Sequence, residues 1–426
     1  MRVSIIVRGK PLHSALSDIS SCGARNIKSF PRLGQVICDL DEAGIKALEA
    51  RGYRVKRLGK LRTMQLERAT VPIWSGSQIS LASLFDAFRN FMSPPLTGEG
   101  NTVVLMDTGI RKTHISLRNK VVLEENFTTS STADDIFDHG TGVAWIVCGG
   151  EVGTGEEAGV APGSRLWNFK VMGDDGSGEI EWFFNALDRV ASLHQEAETK
   201  GLPSTDPMHP NVVNCSFGVE DDGDPENPVR IAIEEFRKEN PGILIVAAVG
   251  NKPDFTKPAL PAASPVVWAI GGADFLPPPY APAEYSVEGP AVDGTPKPDF
   301  VFYSTQVLTA SARADDAFKP RAGTSFAAPA IAGAHGLMWE GGRRLVEAGR
   351  APISGYEEMT YEDWKHFVAM ICKKPPGYPS GWDPKLGYGM PTGDLAQKLF
   401  EQAVSPLAAV GEFLPLMMLL TLVRLL

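Results

Sequence analysis

Cysteine is scarce and unordered in this chain of 426 residues. Cys22, Cys38, Cys148, Cys215 and Cys372 are odd in number and show no CxxC or Cys/His spacing. That argues against a disulfide framework and against a zinc site, and it fits buried free thiols in a reducing compartment. A long apolar leader is also missing. The start, MRVSIIVRGKPLHS, has only SIIV as an apolar run, too short for the core of a secretory signal, so the expectation is a cytoplasmic protein. An excess of positive charge is lacking too: the net charge of −10 argues against nucleic acid as the main partner.

What is present is a chain with 43% hydrophobic and 22% charged residues, enough to bury a large core. Its charge is divided unevenly. Residues 1–66 carry 13 Lys+Arg against 5 Asp+Glu, a balance of +8, whereas the remainder carries 28 against 46, or −18. Two parts of opposite sign should attract one another.

The basic part alternates strand and helix: VSIIVRG (3–9), a helix near 12–22, GQVICDL (34–40), a helix DEAGIKALEARG and a strand YRVKRL. Asp41 can cap the second helix, and Ile45 and Leu48 share one face. This is the rhythm of a small βαββαβ unit. Residues 67–100 form a linker with a short helix, LASLFDAFRNF. From residue 101 the strands NTVVLMD, RLWNFKVM, NVVNCSFG, ILIVAAVGN and PVVWAIGG alternate with helices near 139–149, 179–198 and 227–239. Continuous Val/Ile-rich strands spaced by helices predict a parallel sheet covered on both faces, with functional groups at the carboxyl ends of its strands.

Three polar residues mark such ends. Asp107 closes TVVLM in DTGI, His139 opens a helix in DHGTGVAWIV, and Ser325 opens the small-residue helix GTSFAAPAIAGA. A serine hydroxyl becomes a nucleophile when an imidazole takes its proton and a carboxylate orients that imidazole. Singly, each residue is as well explained as a cap or a structural group. Together they stand in the order Asp, His, Ser, one of the known orders of this triad. The DTG at 107 also matches the aspartic-protease signature, but that chemistry needs two such loops and the chain has one.

VVLMDTGI, HGTG and GTSFAAPAIAGA closely resemble the three active-site signatures of the subtilisin-like serine proteases, the subtilases. The likeness extends to GVAPGSRLWNFKVMGDDGSGE, VVNCSFG, VAAVGN and PAASPVVWAIGGADF, over residues 70 to 400. It implies a subtilisin-like α/β fold with a mostly parallel sheet between helices, preceded by a small α+β ferredoxin-like propeptide domain. The implied division is 1–66 propeptide, 67–100 linker and mature N-terminal segment, 101–403 catalytic domain and 404–426 hydrophobic tail. RATVPIWSGSQIS looks like the start of the mature enzyme.

The resemblance implies an endopeptidase acting on polypeptides through Asp107, His139 and Ser325, with an oxyanion hole made by the backbone N–H of Ser325 and the side-chain amide of Asn251. Substrate would add as a strand between Gly176, Ser177 and Gly178 on one side and Ser216, Phe217 and Gly218 on the other. Ala247, Ala248 and Gly250 would wall the primary pocket, with Lys252 near its mouth. The basic domain would dock on the acidic one, leave its last strand in the cleft, and be cut off by self-cleavage between residues 60 and 72, in an exposed Arg-rich stretch.

Two positions depart from the family pattern: Gly142, where a second histidine is frequent, and Trp145, where a small residue is expected and room must be found. They support the alternative of a catalytically inactive binding protein of this fold. No cofactor is implied. Calcium, common in the family, has no clear loop here, because MGDDGSGE and VEDDGDPEN read as solvated acidic loops. The tail EFLPLMMLLTLVRLL points to packing on the protein or a partner, ahead of membrane association.

Overall fold

The computed structural model describes residues 1–66, 83–150, 159–275, 280–348 and 361–404. Residues 1–57 form β1 (Arg2–Ile6), α1 (Leu12–Ser21), β2 (Arg25–Phe30), β3 (Gln35–Asp39), α2 (Glu42–Ala50) and β4 (Arg54–Arg57). The strands make an antiparallel sheet in the order β2-β3-β1-β4. Asp41 caps α2 by accepting the Gly44 N–H at 2.8 Å. The strand β2 escapes sequence reading because it is polar and mostly exposed, with no alternation to reveal it.

Successive side chains of a strand point to opposite faces, and here both faces are covered. Val3, Ile5, Val36 and Cys38 pack with Ala15, Ile19 and Leu48 of the two helices. From the other face Ile37, with Phe30 and Leu33, joins the core of the larger unit. There the Phe30 ring meets Phe184 edge-on at 5.8 Å. Buried Gln35 takes a hydrogen bond from Ser4 and donates to the Pro228 carbonyl at 2.8 Å.

The chain then makes β5 (Lys60–Thr63) and the short α3 (Asp86–Arg89) before entering the large unit. That unit runs β6 (Thr102–Asp107), β7 (Val121–Asn126), α4 (Gly140–Cys148), β8 (Arg165–Lys170), β9 (Ser177–Glu179), α5 (Ile180–Thr199), β10 (Val212–Cys215), β11 (Phe217–Gly218), α6 (Pro228–Glu239), β12 (Leu244–Ala248), β13 (Trp268–Asp274), β14 (Ala281–Pro282) and β15 (Phe300–Tyr303). Its sheet has the order β14-β13-β12-β10-β6-β8-β7, with β15 also on β13. Every pair but β13–β14 is parallel. The centrally placed strands are buried throughout, which is why their sequences read as continuous apolar runs.

A hairpin, β16 (Val307–Ala310) with β17 (Phe318–Arg321), leads to a 3₁₀ turn at Thr324–Phe326 and then to α7 (Ala328–Glu347). Alanines and glycines let α7 sit in the middle of the molecule. Ala328, Ala330, Ala332, Gly333 and Ala334 are all buried, and a Cβ on Gly333 would lie 2.9 Å from Val160. Ser325 therefore occupies a separate tight turn rather than the first turn of the helix, because Pro329 fixes the helix start after it. The chain closes with α8 (Tyr361–Met370) and α9 (Gly393–Val404), and Phe400 packs on Phe88 of α3 at 4.8 Å. Among the described residues no helix is long and apolar enough to cross a membrane. The apolar tail beyond Val404 and the segment RATVPIWSGSQIS lie outside the described residues.

Opposite charges face each other where the two units meet. Arg2 and Lys28 both engage Glu181, Arg8 reaches Glu235 at 2.6 Å, Arg54 reaches Glu226 at 2.9 Å, and Lys56 pairs with Asp224. Arg32 lies 3.4 Å from Asp188 and bonds Ser192 and Gln195.

Candidate active site

Asp107 ends β6 in the middle of the sheet, and His139 is the residue before α4. Their side chains meet: His139 Nδ1 lies 2.6 Å from Asp107 Oδ1, with both groups buried. A carboxylate on Nδ1 fixes the proton there and leaves Nε2 as the basic nitrogen. Among the described residues Nε2 has no partner, although it is buried. Asp107 Oδ1 also accepts the Thr108 N–H at 2.7 Å.

Ser325 lies beside this pair, its neighbour Phe326 meeting the His139 ring at a tilt, 5.5 Å between centres. Its Oγ donates to the Ser216 carbonyl at 2.9 Å and so is not turned to His139. Its backbone N–H donates to the carbonyl oxygen of Met64 at 3.2 Å. The same oxygen accepts Asn251 Nδ2 at 2.6 Å. The amide of Asn251 is held in this sense because its Oδ1 accepts both the N–H and the hydroxyl of Thr324, at 3.0 and 2.9 Å. Two donors thus converge on one peptide carbonyl, the arrangement that stabilises an oxyanion when a nucleophile adds to it. Gly323, at φ +133°, is required beside it, since a Cβ there would come within 2.6 Å of that oxygen.

Met64 reaches this point because β5 fills a cleft. Lys60, Leu61 and Arg62 pair antiparallel with Glu179, Gly178 and Ser177, while Arg62 and Thr63 pair with Gly218 and Phe217. Thr63 N–H then donates to Gly176 O and Met64 N–H to Ser216 O, at 3.3 and 3.2 Å, and beyond Ser325 the Leu66 N–H donates to Ala322 O at 3.1 Å. Both flanking segments expected from the sequence hold an extended strand. It is the chain's own. Leu61 and Met64 are buried while Lys60 and Arg62 are exposed, and residues 67–72 of the expected cleavage stretch lie outside the described residues. The Met64 methyl lies against Gly218, where no Cβ would fit. Ala247, Ala248 and Gly250 are fully buried at the end of β12. Lys252 is engaged by Glu288 at 2.8 Å, which neutralises the cation assigned to the pocket mouth.

Several residues that shape the site carry no sequence signal. Asp135 takes the Thr108 hydroxyl, the Asp138 N–H and, through its other oxygen, the Thr141 N–H, so it fastens the start of α4 to the loop after β6. Asp138, next to His139, receives Arg321 at 2.7 Å, Lys319, and the Ala312 N–H at 2.7 Å. Burial pushes its carboxyl up, but Arg321 and Lys319 outweigh this and it titrates below the usual range. Arg321 also lies 3.4 Å from the amide oxygen of Gln65.

Arg321 explains the first departure from the pattern. A Cβ on Gly142 would meet its Nε at 2.7 Å and Thr309 Oγ1 at 2.8 Å, so the guanidinium occupies the volume a side chain there would need. At the second, the Trp145 indole stands edge-on to Phe318 at 6.0 Å and takes its room beside Gly149, which has no side chain to obstruct it. Cys215 precedes Ser216 but is no competing nucleophile, since burial raises its thiol pKa strongly. The acidic loops are internally paired: Asp174 with Lys170 at 2.8 Å, Asp175 with Ser177, and Asp221 with Arg230 at 2.9 Å.

Known proteins share this frame. The subtilase family pattern matches residues 98–365. Subtilisin of Bacillus sp. (strain TA39) is 31% identical over 167 residues, covering 36% of this chain and 34% of its own length. Serine protease AprX of Bacillus subtilis (strain 168) is 27% identical over 265 residues, covering 57% and 58% of the two. Subtilisin-like protease 1 of Trichophyton verrucosum is 25% identical over 270 residues, covering 63% and 59%. The crystal structure of fervidolysin from Fervidobacterium pennivorans, a keratinolytic enzyme related to subtilisin, superposes with a TM-score of 0.71 over 93% of this chain and 60% of that one, at 14% identity, a likeness of fold. The chain spans 34% to 60% of the length of these relatives. Because the matched region takes in more than half of the sequence, the chain belongs to the subtilase family.

Proposed function

We propose that the chain is a serine endopeptidase made as a zymogen, and that its first substrate is its own Met64–Gln65 bond. One observation carries this reading: the Met64 carbonyl oxygen accepts from both Ser325 N–H and Asn251 Nδ2 while residues 60–63 lie paired in the cleft.

The reaction begins when the Ser325 hydroxyl turns from Ser216 O to His139 Nε2. Its oxygen attacks the Met64 carbonyl carbon as Nε2 takes the proton, and the imidazolium formed is stabilised by Asp107. Negative charge moves onto the oxygen that the two donors already hold. The tetrahedral adduct collapses by expelling the Gln65 amine, which receives the proton from His139, and Met64 remains as an ester on Ser325. Water, deprotonated by His139, then cleaves the ester. Each proton passes through His139, between Ser325, the leaving amine and water, while Asp107 stays ionised, so the sequence of steps needs no cofactor. Other polypeptides would be cut in the same register, by adding as a strand between the segments at 176–178 and 216–218.

Purified wild-type and Ser325→Ala proteins test the proposal by N-terminal sequencing and intact mass. The wild type should yield a new terminus at Gln65 and a fragment of residues 1–64, and Ser325→Ala should keep Met1. A wild type that retains Met1 after prolonged incubation, or an alanine variant cut at the same bond, refutes it. The bond from Ser325 Oγ to Ser216 O favours a second reading, a catalytically inactive binding protein. Labelling of Ser325 by a fluorophosphonate after removal of the N-terminal unit eliminates that reading.

A further inference from the structure

Remote from the cleft, His194, Glu198 and His209 each bring one ligand atom within 4.8 Å of the other two. We propose that these three side chains form a zinc site that staples the end of α5 to the loop entering β10.

His194 and Glu198 stand four apart on α5 and so share a face of the helix. His209 comes from the connection that follows. That loop is held at several points: the His209 N–H bonds Asp206 O at 2.9 Å, the Met208 N–H bonds the Asp206 carboxylate at 2.8 Å, and Trp167 Nε1 donates to Pro207 O at 2.9 Å. The two imidazole rings stand edge to face, 5.4 Å between centres. Glu198 lies 3.5 Å from His209 Nδ1.

The polar inventory does not close without a further partner. His209 is only 4% exposed, yet its Nε2 has none among the described residues, and the same holds for Nδ1 of His194. Buried ring nitrogens are ordinarily satisfied. Here two orphans stand in one cluster with a carboxylate.

The donor set selects the ion. Two imidazoles and one carboxylate suit zinc, with water in the fourth position, whereas calcium and magnesium require oxygen shells. Tetrahedral bonds of about 2.0–2.1 Å put ligand atoms about 3.4 Å apart, so the cluster must contract by an ångström or so. Glu198 supplies the movement: its side chain is 63% exposed and free to swing inward.

The position gives the ion a structural task. α5 begins where β9, one wall of the cleft, ends, and β10 runs directly to Ser216 and the other wall. A metal joining the end of α5 to the approach to β10 pins the connection of residues 200–211 and fixes both elements from behind. It supplies no group to the cleft.

The test uses the full chain carrying Ser325→Ala, which prevents self-cleavage. Zinc is titrated in competition with a chromophoric chelator, and thermal unfolding is followed with zinc, with calcium and with EDTA. One zinc per chain should bind, with Tm raised by roughly 3 °C or more at saturation and no response to calcium. His194→Asn should weaken zinc binding at least about 100-fold and Glu198→Gln about 10-fold. Both positions are partly exposed, so the metal-free Tm should stay within about 2 °C of the parent. Failure of the parent to bind zinc more tightly than about 10 μM overturns the proposal. So does equal binding by the parent and both variants, which would put the ion elsewhere, at His139 and Asp107 for instance.

Discussion

Replacing Arg321 by Met keeps much of the bulk and removes the guanidinium that joins the two halves of the site. Asp138 adjoins His139 in sequence, and Arg321 lies four residues before Ser325, so their ion pair ties the base to the nucleophile's turn. Both side chains are almost wholly buried, at 3% and 1% exposure, and water does little to screen them. Removing one partner of a buried pair costs about 3–5 kcal/mol. Asp138 would keep Lys319, Arg313 and the Ala312 N–H, which brings the expected loss to about 2–3 kcal/mol. Asp138→Asn in the same chain should cost less than the sum of the two single changes, with a coupling of about 1–3 kcal/mol.

Urea unfolding of the four proteins in the Ser325→Ala background, at pH 7 and at pH 3, measures this. The pH arm has a definite sign. The folded carboxyl titrates below its unfolded value of 3.8, so its contribution is complete above that pH and disappears as pH falls through the depressed folded value. The gap between parent and Asp138→Asn should therefore narrow in acid. A single-variant loss under about 1 kcal/mol, or additivity within about 0.5 kcal/mol, refutes the argument.

Asn251→Ala removes one of the two donors on the Met64 carbonyl and should lower kcat about 100- to 1000-fold on a peptide substrate with KM little changed. That magnitude is the one observed in subtilisin, a member of the same family. An effect confined to KM would remove Asn251 from the hole. Met64→Asp buries an unpaired carboxylate where the methionine is 1% exposed, a cost of several kcal/mol. Scission at that bond, followed by intact mass over time, should slow at least about 100-fold, and a rate within threefold of the parent contradicts the seating of Met64.

The strands most readily read were those buried on both faces, such as Thr102–Asp107 and Leu244–Ala248, because burial writes itself as an unbroken apolar run. β7 (VVLEEN) and β2 (RNIKSF) lie at sheet edges and carry charges that break any pattern. Asp107, His139 and Ser325 could be singled out because each follows or opens a recognisable element, and Asn251 through the family resemblance alone. Their supports could not. Asp138 finds Arg321 183 positions away, Thr324 orients Asn251 from 73 positions away, and Trp145 relies on an adjacent glycine that resembles any helix stop. Whether such residues meet is decided by packing, which local sequence does not encode. The turn that holds Ser325 is hidden for a smaller reason: GTSFAAPA reads as one helix until Pro329 is given its position as the start.

The cationic face of residues 1–57 has a consequence for timing. Cutting the chain at Met64 would sever one covalent link while leaving Arg2, Arg8, Arg32, Arg54 and Lys56 on their acidic partners and Phe30, Leu33 and Ile37 in the shared core. A peptide end tethered beside its own cleft experiences an effective concentration in the millimolar range. Incoming peptides would therefore be outcompeted until the severed fragment departs or is digested, and proteolysis would follow the clock of dissociation, sensitive to ionic strength, instead of the clock of bond breaking.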